Sequence, residues 1–123
     1  MIEKKFEVLA EEIAKWNKLT FPAAEEKGQM AKLDEEFKEL RAAIKDETDF
    51  SPEVLGELAD CFIVAAGLEY RFNNPLGGFL LWALIDKADE AGEVEAFYLA
   101  ICTKMEINRR RNWSSMSNGA YHH

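Results

Sequence analysis

The chain has 123 residues, which suffices for one domain with a single core. Its 48% hydrophobic and 31% charged residues are typical of soluble globular proteins. A formal net charge of −8 disfavours non-specific binding to nucleic acid or anionic membranes, but it leaves room for a phosphate-bearing ligand, because a divalent metal can invert the local charge.

The sequence predicts a cytoplasmic protein without a disulfide framework. Cys61 and Cys102 lie in apolar surroundings without CxxC spacing, which is typical of small core residues. The N-terminal residues MIEKKFEVL lack the apolar run of a signal peptide. The longest uncharged run, residues 72–85, is too short and too interrupted by Asn, Pro and Gly to span a bilayer. The terminal His122 and His123 resemble a tag remnant or a loose tail, and we assign them no chemistry.

Apolar residues at three- and four-residue spacing, without strand alternation, predict an all-α bundle of four to five helices. Ser51 is a candidate N-cap for the third helix, with Pro52 at its first position. A single helical domain is expected over residues 1–113, followed by a flexible tail over 114–123. The predicted helices are Ile2–Leu19, Ala23 or Ala24 to Lys45, Pro52–Phe72, Phe79–Ala91 and Glu93–Asn112. Asn73-Asn74-Pro75 and Gly77-Gly78 predict a loop before the fourth helix.

The fourth predicted helix is unusually apolar. Its first half, Phe79–Ile85, reads FLLWALI, which is too apolar for the exposed side of one small bundle. We therefore expect a homodimer or homotetramer that buries this surface.

Two carboxylates stand alone in the third helix. Val54–Leu68 contains Glu57 and Asp60 as its only charged residues, and their spacing of three places them on one side of a helix. Two buried carboxylates repel each other and are costly to desolvate, so a cation or basic side chains must compensate them. The alternative is that the two carboxylates lie near the start of the helix, where the positive end of the helix dipole stabilises their negative charge and no cation is needed.

The second helix carries a matching acidic group, Glu35-Glu36-x-x-Glu39. Glu36 lies beside the apolar stripe, whereas Glu35 points nearly away from it. If the second and third helices pack antiparallel, Glu36 and Glu39 can face the carboxylates of the third helix and form an oxygen cage of the kind that Mg²⁺ prefers. The alternative is a solvated helix face. The absence of nearby His and Cys pairs argues against zinc and di-iron sites.

A basic group follows in the fifth helix. Lys104, Asn108 and Arg111 recur at four- and three-residue spacing, and such side chains bind phosphate oxygens and sugar hydroxyls. Trp113 could stack on a base. The alternative is that the basic residues only complement the helix dipole.

These motifs resemble a known family. Lys32-Leu33-x-Glu35-Glu36-x-x-Glu39, then Glu57-x-x-Asp60, then the segment KMEINRRRNW of residues 104–113, are similar to the short, single-domain MazG-like all-α nucleoside triphosphate pyrophosphohydrolases. The resemblance covers most of residues 21–113.

The resemblance implies a Mg²⁺-dependent hydrolase, with Mn²⁺ as a substitute, that cleaves a nucleoside triphosphate between its α and β phosphates. It implies that Glu36, Glu39, Glu57 and Asp60 are metal ligands, and that Glu35 orients or deprotonates the attacking water, so that Glu35 and Glu36 form the catalytic pair. It implies that Lys32 and, more weakly, Lys104, Asn108 and Arg111 bind substrate, and that sites form near subunit interfaces of a dimer or tetramer.

Two alternatives stay open at this point. The first is a related pyrophosphohydrolase acting on dUTP or on a phosphoribosyl nucleotide such as phosphoribosyl-ATP, since the metal motif is shared. The second is a non-enzymatic helical interaction module, which predicts no thermal stabilisation by Mg²⁺.

Overall fold

The computed structural model describes residues 2–46, 50–111, 116–117 and 120–121, with side chains for residues 4–44 and 50–111. These residues form five helices, which confirms the all-α prediction. The helices are α1 (Ile2–Thr20), α2 (Glu26–Asp46), α3 (Pro52–Tyr70), α4 (Pro75–Glu90) and α5 (Val94–Arg110).

Helix α3 is the centre of the bundle, because α1, α2, α4 and α5 all pack against it. Its residues from Leu58 to Leu68 are almost all buried, as its continuous apolar sequence predicts. Three aromatic rings join α3 to its neighbours. Phe62 lies 5.9 Å from Phe6 of α1 and 5.8 Å from Phe97 of α5, measured between ring centroids. Glu57 and Asp60, on the same helix, are half-buried at the edge of this core.

Helix α4 begins at Pro75, four residues before its predicted start. The Asn74 side chain accepts a hydrogen bond from the Leu76 N–H at 3.0 Å, so it caps a helix whose first residue is proline. Gly77, predicted to be in a loop, lies inside the helix. A Cβ atom there would come within 2.5 Å of the Glu69 backbone nitrogen, so glycine allows α4 to approach α3 this closely.

Helix α2 begins at Glu26, two to three residues later than predicted. The preceding residues turn instead, with the Ala24 N–H bonded to the Phe21 carbonyl at 3.0 Å. Phe21 is buried against the edge of Trp16, with the ring centroids 5.4 Å apart. Burial of the Phe21 ring thus holds this segment outside the helix.

The C-terminal segment contains two short strands that the sequence did not indicate. Strand β1 (Met116–Ser117) pairs antiparallel with β2 (Ala120–Tyr121), and β2 lies beside α2. Two residues per strand are too few for an alternating pattern to be visible.

Trp113, His122 and His123 lie outside the described residues, and the flexible tail stays a prediction.

Several apolar side chains of α4 face outwards. Phe79 is 74% exposed, and Leu76 and Trp82 are also exposed, while Leu81, Leu84 and Ile85 are buried. The expected oligomer stays a prediction that this surface motivates.

Among the described residues, the helices are either too short or too polar to cross a bilayer.

Candidate metal centre

The carboxylates of α2 and α3 meet because these helices run antiparallel. Gln29, near the start of α2, bonds to Val64 on α3, and Glu36, seven residues later, reaches Glu57, seven residues before Val64. The two helices pack along their length. The acidic pairs that are separated by about twenty residues of sequence therefore share one site.

Three carboxylates form a compact oxygen cluster. Glu36, Glu39 and Glu57 each present one oxygen, and these oxygens lie within 4.8 Å of one another. Opposite oxygens around Mg²⁺ are about 4 Å apart, since each Mg–O bond is about 2.1 Å. The cluster therefore approaches the dimensions of a hard-cation site without a His or Cys ligand in the group.

Asp60 lies beside this cluster but is held by a lysine of α5. The Lys104 ammonium donates a hydrogen bond to Asp60 Oδ2 at 3.2 Å, and the two side chains are 34% and 22% exposed. The lysine passes beside Gly56, where a Cβ atom would lie in ordinary contact with it, 3.5 Å from Lys104 Cε. One of the four predicted ligands is thus paired with an internal cation.

The protein environment disfavours ionisation of these groups. Burial, followed by a hydrogen bond to Glu39 and the charge of Asp60, raises the pKa of Glu36 to about 8 against the opposing charge of Lys32. Burial, followed by the charges of Asp60 and Glu39, also raises the pKa of Glu57. Burial raises the pKa of Asp60 despite the opposing effect of Lys104. A cation bound among the carboxylates would relieve this repulsion.

One oxygen of the cluster has a specific need for a partner. Glu57 Oε2 is buried, and no group among the described residues is placed to hydrogen-bond with it. A buried carboxylate oxygen without a donor is costly. Together with the all-oxygen donor set, this atom fits a bound hard cation.

The other predicted site residues differ in their burial. Glu35 is exposed on α2, on the outer side of Glu36. Lys32 is half-buried, and its charge acts on both Glu36 and Asp60. Asn108 is half-buried, with its amide donating to Met105 Sδ at 3.9 Å, and Arg111 is exposed at the end of α5. Trp113 lies outside the described residues.

Two neighbours of the cluster were not identified as site residues from the sequence. Cys61, expected to be in the core, is buried, and its desolvation together with the four carboxylates raises the pKa of its thiol to about 12. Gly56 borders a mostly apolar groove of about 360 Å³ between α3 and α5, which Lys104 also lines. The sequence shows Gly56 directly before Glu57 in an apolar helix. It does not show that Lys104 packs beside this glycine, because that contact exists only in the folded bundle.

Comparison with protein-family models, curated proteins and solved structures gives no match to this chain.

Proposed function

We propose that this protein is a Mg²⁺-dependent nucleoside triphosphate pyrophosphohydrolase, which releases pyrophosphate and leaves a nucleoside monophosphate. The observation that carries the proposal is the cluster of Glu36, Glu39 and Glu57, which combines oxygens within 4.8 Å of one another with the unpartnered, buried Glu57 Oε2. The EExxE and ExxD motifs that supply these residues are the ones that resemble the MazG-like family.

Glu36, Glu39 and Glu57 would hold the metal, and Asp60 would complete the set. Mg²⁺ bound there would supply Lewis-acid polarisation of phosphoryl oxygens and a water of lowered pKa. Mn²⁺, which accepts the same oxygen ligands, would be a substitute. Since these carboxylates project from two packed helices rather than from loops, the backbone that carries them is in place before substrate arrives.

The chain's basic residues would bind the polyphosphate. Lys104, which contacts Asp60, could move its ammonium group from that carboxylate to a phosphate oxygen of the substrate. Lys32 of α2 adds a second positive charge near Glu36. Asn108 and Arg111, four and seven residues after Lys104, are assigned to the substrate by their motif. Trp113 is assigned to the base by its motif alone.

Glu35 would orient or deprotonate the attacking water. Its carboxylate is exposed next to Glu36, and its motif alone assigns it this role. Phosphoryl transfer needs positioning and charge stabilisation rather than a covalent nucleophile. The chain carries neither a GxSxG motif nor a P-loop, which agrees with such a reaction.

The deciding experiment is pyrophosphate release from a panel of canonical NTPs and dNTPs, with Mg²⁺ or with EDTA. We expect Mg²⁺-dependent release from at least one substrate, and a loss of at least about 100-fold in Glu39→Gln and Asp60→Asn with the helical circular dichroism retained. Glu90→Gln, which removes an exposed charge at the end of α4, is the matched control. Full turnover in both site variants would contradict the proposal.

The same panel separates the alternatives. Release from dUTP or from phosphoribosyl-ATP alone would assign a narrower substrate on the same metal site. No release from any nucleotide, together with no Mg²⁺-induced rise in melting temperature, would favour the non-enzymatic interaction module.

A further inference from the structure

A polar side chain is buried where α2 and α3 meet, away from the carboxylate cluster. Gln29 of α2 is 1% exposed, and its Nε2 donates a hydrogen bond to the Val64 carbonyl of α3 at 3.2 Å. Its Oε1 is also buried, and none of the described residues is placed to donate to it. Gln29 therefore satisfies only one end of its amide.

The backbone of α3 leaves space for this amide. A Cβ atom on Gly67 would lie 2.6 Å from Gln29 Nε2, closer than non-bonded atoms approach. The same Cβ would lie 3.8 Å from Cγ of the buried Asn17 of α1, whose Oδ1 accepts a 2.6 Å hydrogen bond from Arg71. Gln29, Gly67 and Asn17 thus bring three helices together at one point.

The position of Gln29 along α2 relates it to the carboxylate cluster. Seven residues separate Gln29 from Glu36, and seven separate Val64 from Glu57. Seven residues are close to two helical turns, or about 10 Å along the axis. The Gln29–Val64 bond and the Glu36–Glu57 contact therefore have the same register and occur on the same faces of the two helices.

Stability alone does not account for a glutamine here. A buried amide oxygen without a donor costs free energy, whereas an apolar side chain of similar shape would not. Buried polar groups that reduce stability can nevertheless specify a register, because a shifted arrangement leaves more of their atoms unpaired.

We infer that Gln29 is a positioning residue, whose bond to the Val64 carbonyl in the space left by Gly67 holds α2 in the register that brings Glu36 against Glu57. The consequence for metal binding rests on the proposed function. The consequence for helix register does not.

The first test is Gln29→Met, which keeps the length of the side chain and removes the amide. We expect its melting temperature in EDTA to equal or exceed that of the unaltered protein, while its Mg²⁺ dissociation constant rises about tenfold, as for residues that support metal ligands. Ile13→Val, a buried substitution in α1, is the control and should leave Mg²⁺ affinity unchanged. A Gln29→Met protein with unaltered Mg²⁺ affinity, or one that loses affinity only in proportion to lost stability, would overturn the inference.

A second variant and a metal-free measurement complete the test. Gly67→Ala should displace the amide and weaken Mg²⁺ binding as Gln29→Met does. Leu33 of α2 packs against Val64 and Leu68 of α3. In both variants, the methyl NOEs among these three residues should weaken relative to methyl NOEs within the main core cluster, which contains Leu9, Ile13 and Ile101. If the unaltered protein does not respond to Mg²⁺, the metal proposal fails, and the NOEs alone decide on the register. NOEs that stay unchanged in both variants would overturn the inference.

Discussion

At the scale of single residues, the pair formed by Lys104 and Asp60 decides how the acidic site behaves without metal. Its 3.2 Å contact places a cation beside Asp60, although burial still raises the pKa of that carboxyl. Under the proposed function, Asp60 Oδ2 would have to release this ammonium group before that oxygen could bind Mg²⁺. Lys104 would then be available to phosphate oxygens, so metal and nucleotide binding would favour each other.

Lys104→Met should therefore separate the two binding events. Without the competing ammonium, Mg²⁺ alone should bind about fivefold more tightly, since a partly exposed ion pair contributes about 1 kcal/mol. Binding of a non-hydrolysable nucleoside triphosphate should weaken, because one phosphate contact is lost. Titration calorimetry with each ligand measures both effects.

The matched control is Lys38→Met, which removes the same charge from an exposed pair with Asp34 on α2. It should change neither affinity by more than about twofold, since exposed pairs contribute little. Weaker Mg²⁺ binding in Lys104→Met would show that the lysine supports the metal site instead of competing for it.

At the scale of helices, the Ser51 cap fixes the start of α3, two turns before Asp60. Ser51 Oγ accepts a hydrogen bond from the Val54 N–H at 3.2 Å, and Pro52 occupies the first position. Ser51→Ala should lower stability by about 1 kcal/mol, and the melting temperature by a few degrees. Ser51→Asn, which keeps an accepting oxygen, should recover most of it. Equal melting temperatures for Ser51→Ala and the unaltered protein would contradict this role.

Helix α3 also shows what the sequence could predict. Its cap, its proline and its isolated carboxylates are local signals, and all lie where the pattern indicates. The start of α4 was misplaced because Gly77-Gly78 is a loop signal in isolation, whereas here the glycines serve a close approach to α3. The Lys104–Asp60 pair joins residues 44 positions apart, and Gln29 lies in a polar part of α2. No local pattern marks such contacts, so only the packed helices reveal them.

At the scale of the whole molecule, α4 presents an apolar surface that predicts self-association. Phe79 is largely exposed and lies next to the exposed Leu76 and Trp82. We expect light scattering at micromolar concentration to give at least twice the 14.0 kDa chain mass. Phe79→Ser should shift the distribution towards the monomer, whereas Leu19→Ser, at a similarly exposed position at the end of α1, should not. A monomeric unaltered protein would contradict the prediction.

Metal binding should also change how the stability of the whole molecule depends on pH. The Glu36 carboxyl has a pKa of about 8 in the fold, against 4.5 as the reference value for the unfolded chain. Between these values the folded state holds a proton that the unfolded state has released, so raising the pH destabilises the metal-free fold. At about 1.4 kcal/mol per pKa unit, the loss amounts to a few kcal/mol and is complete above pH 8.

The other groups around Glu36 determine the shape of this dependence. Burial raises the pKa values of Glu57 and Asp60 as well, so both add to the loss of stability as the pH rises, while Lys32 and Lys104 oppose it. Saturating Mg²⁺ should reverse the loss at pH 8, because the cation stabilises the ionised carboxylates only in the fold.

Urea unfolding between pH 5 and 9, in EDTA and in Mg²⁺, measures both effects, and Glu36→Gln provides the control. That variant cannot release a proton at position 36, so its metal-free stability should fall less with pH and should exceed that of the unaltered protein at pH 8. Its response to Mg²⁺ should be small, since a ligand oxygen is replaced by an amide. A metal-free protein whose stability rises from pH 5 to 8 would mean that the carboxylates are ionised and compensated within the fold, and that the cluster does not require a cation.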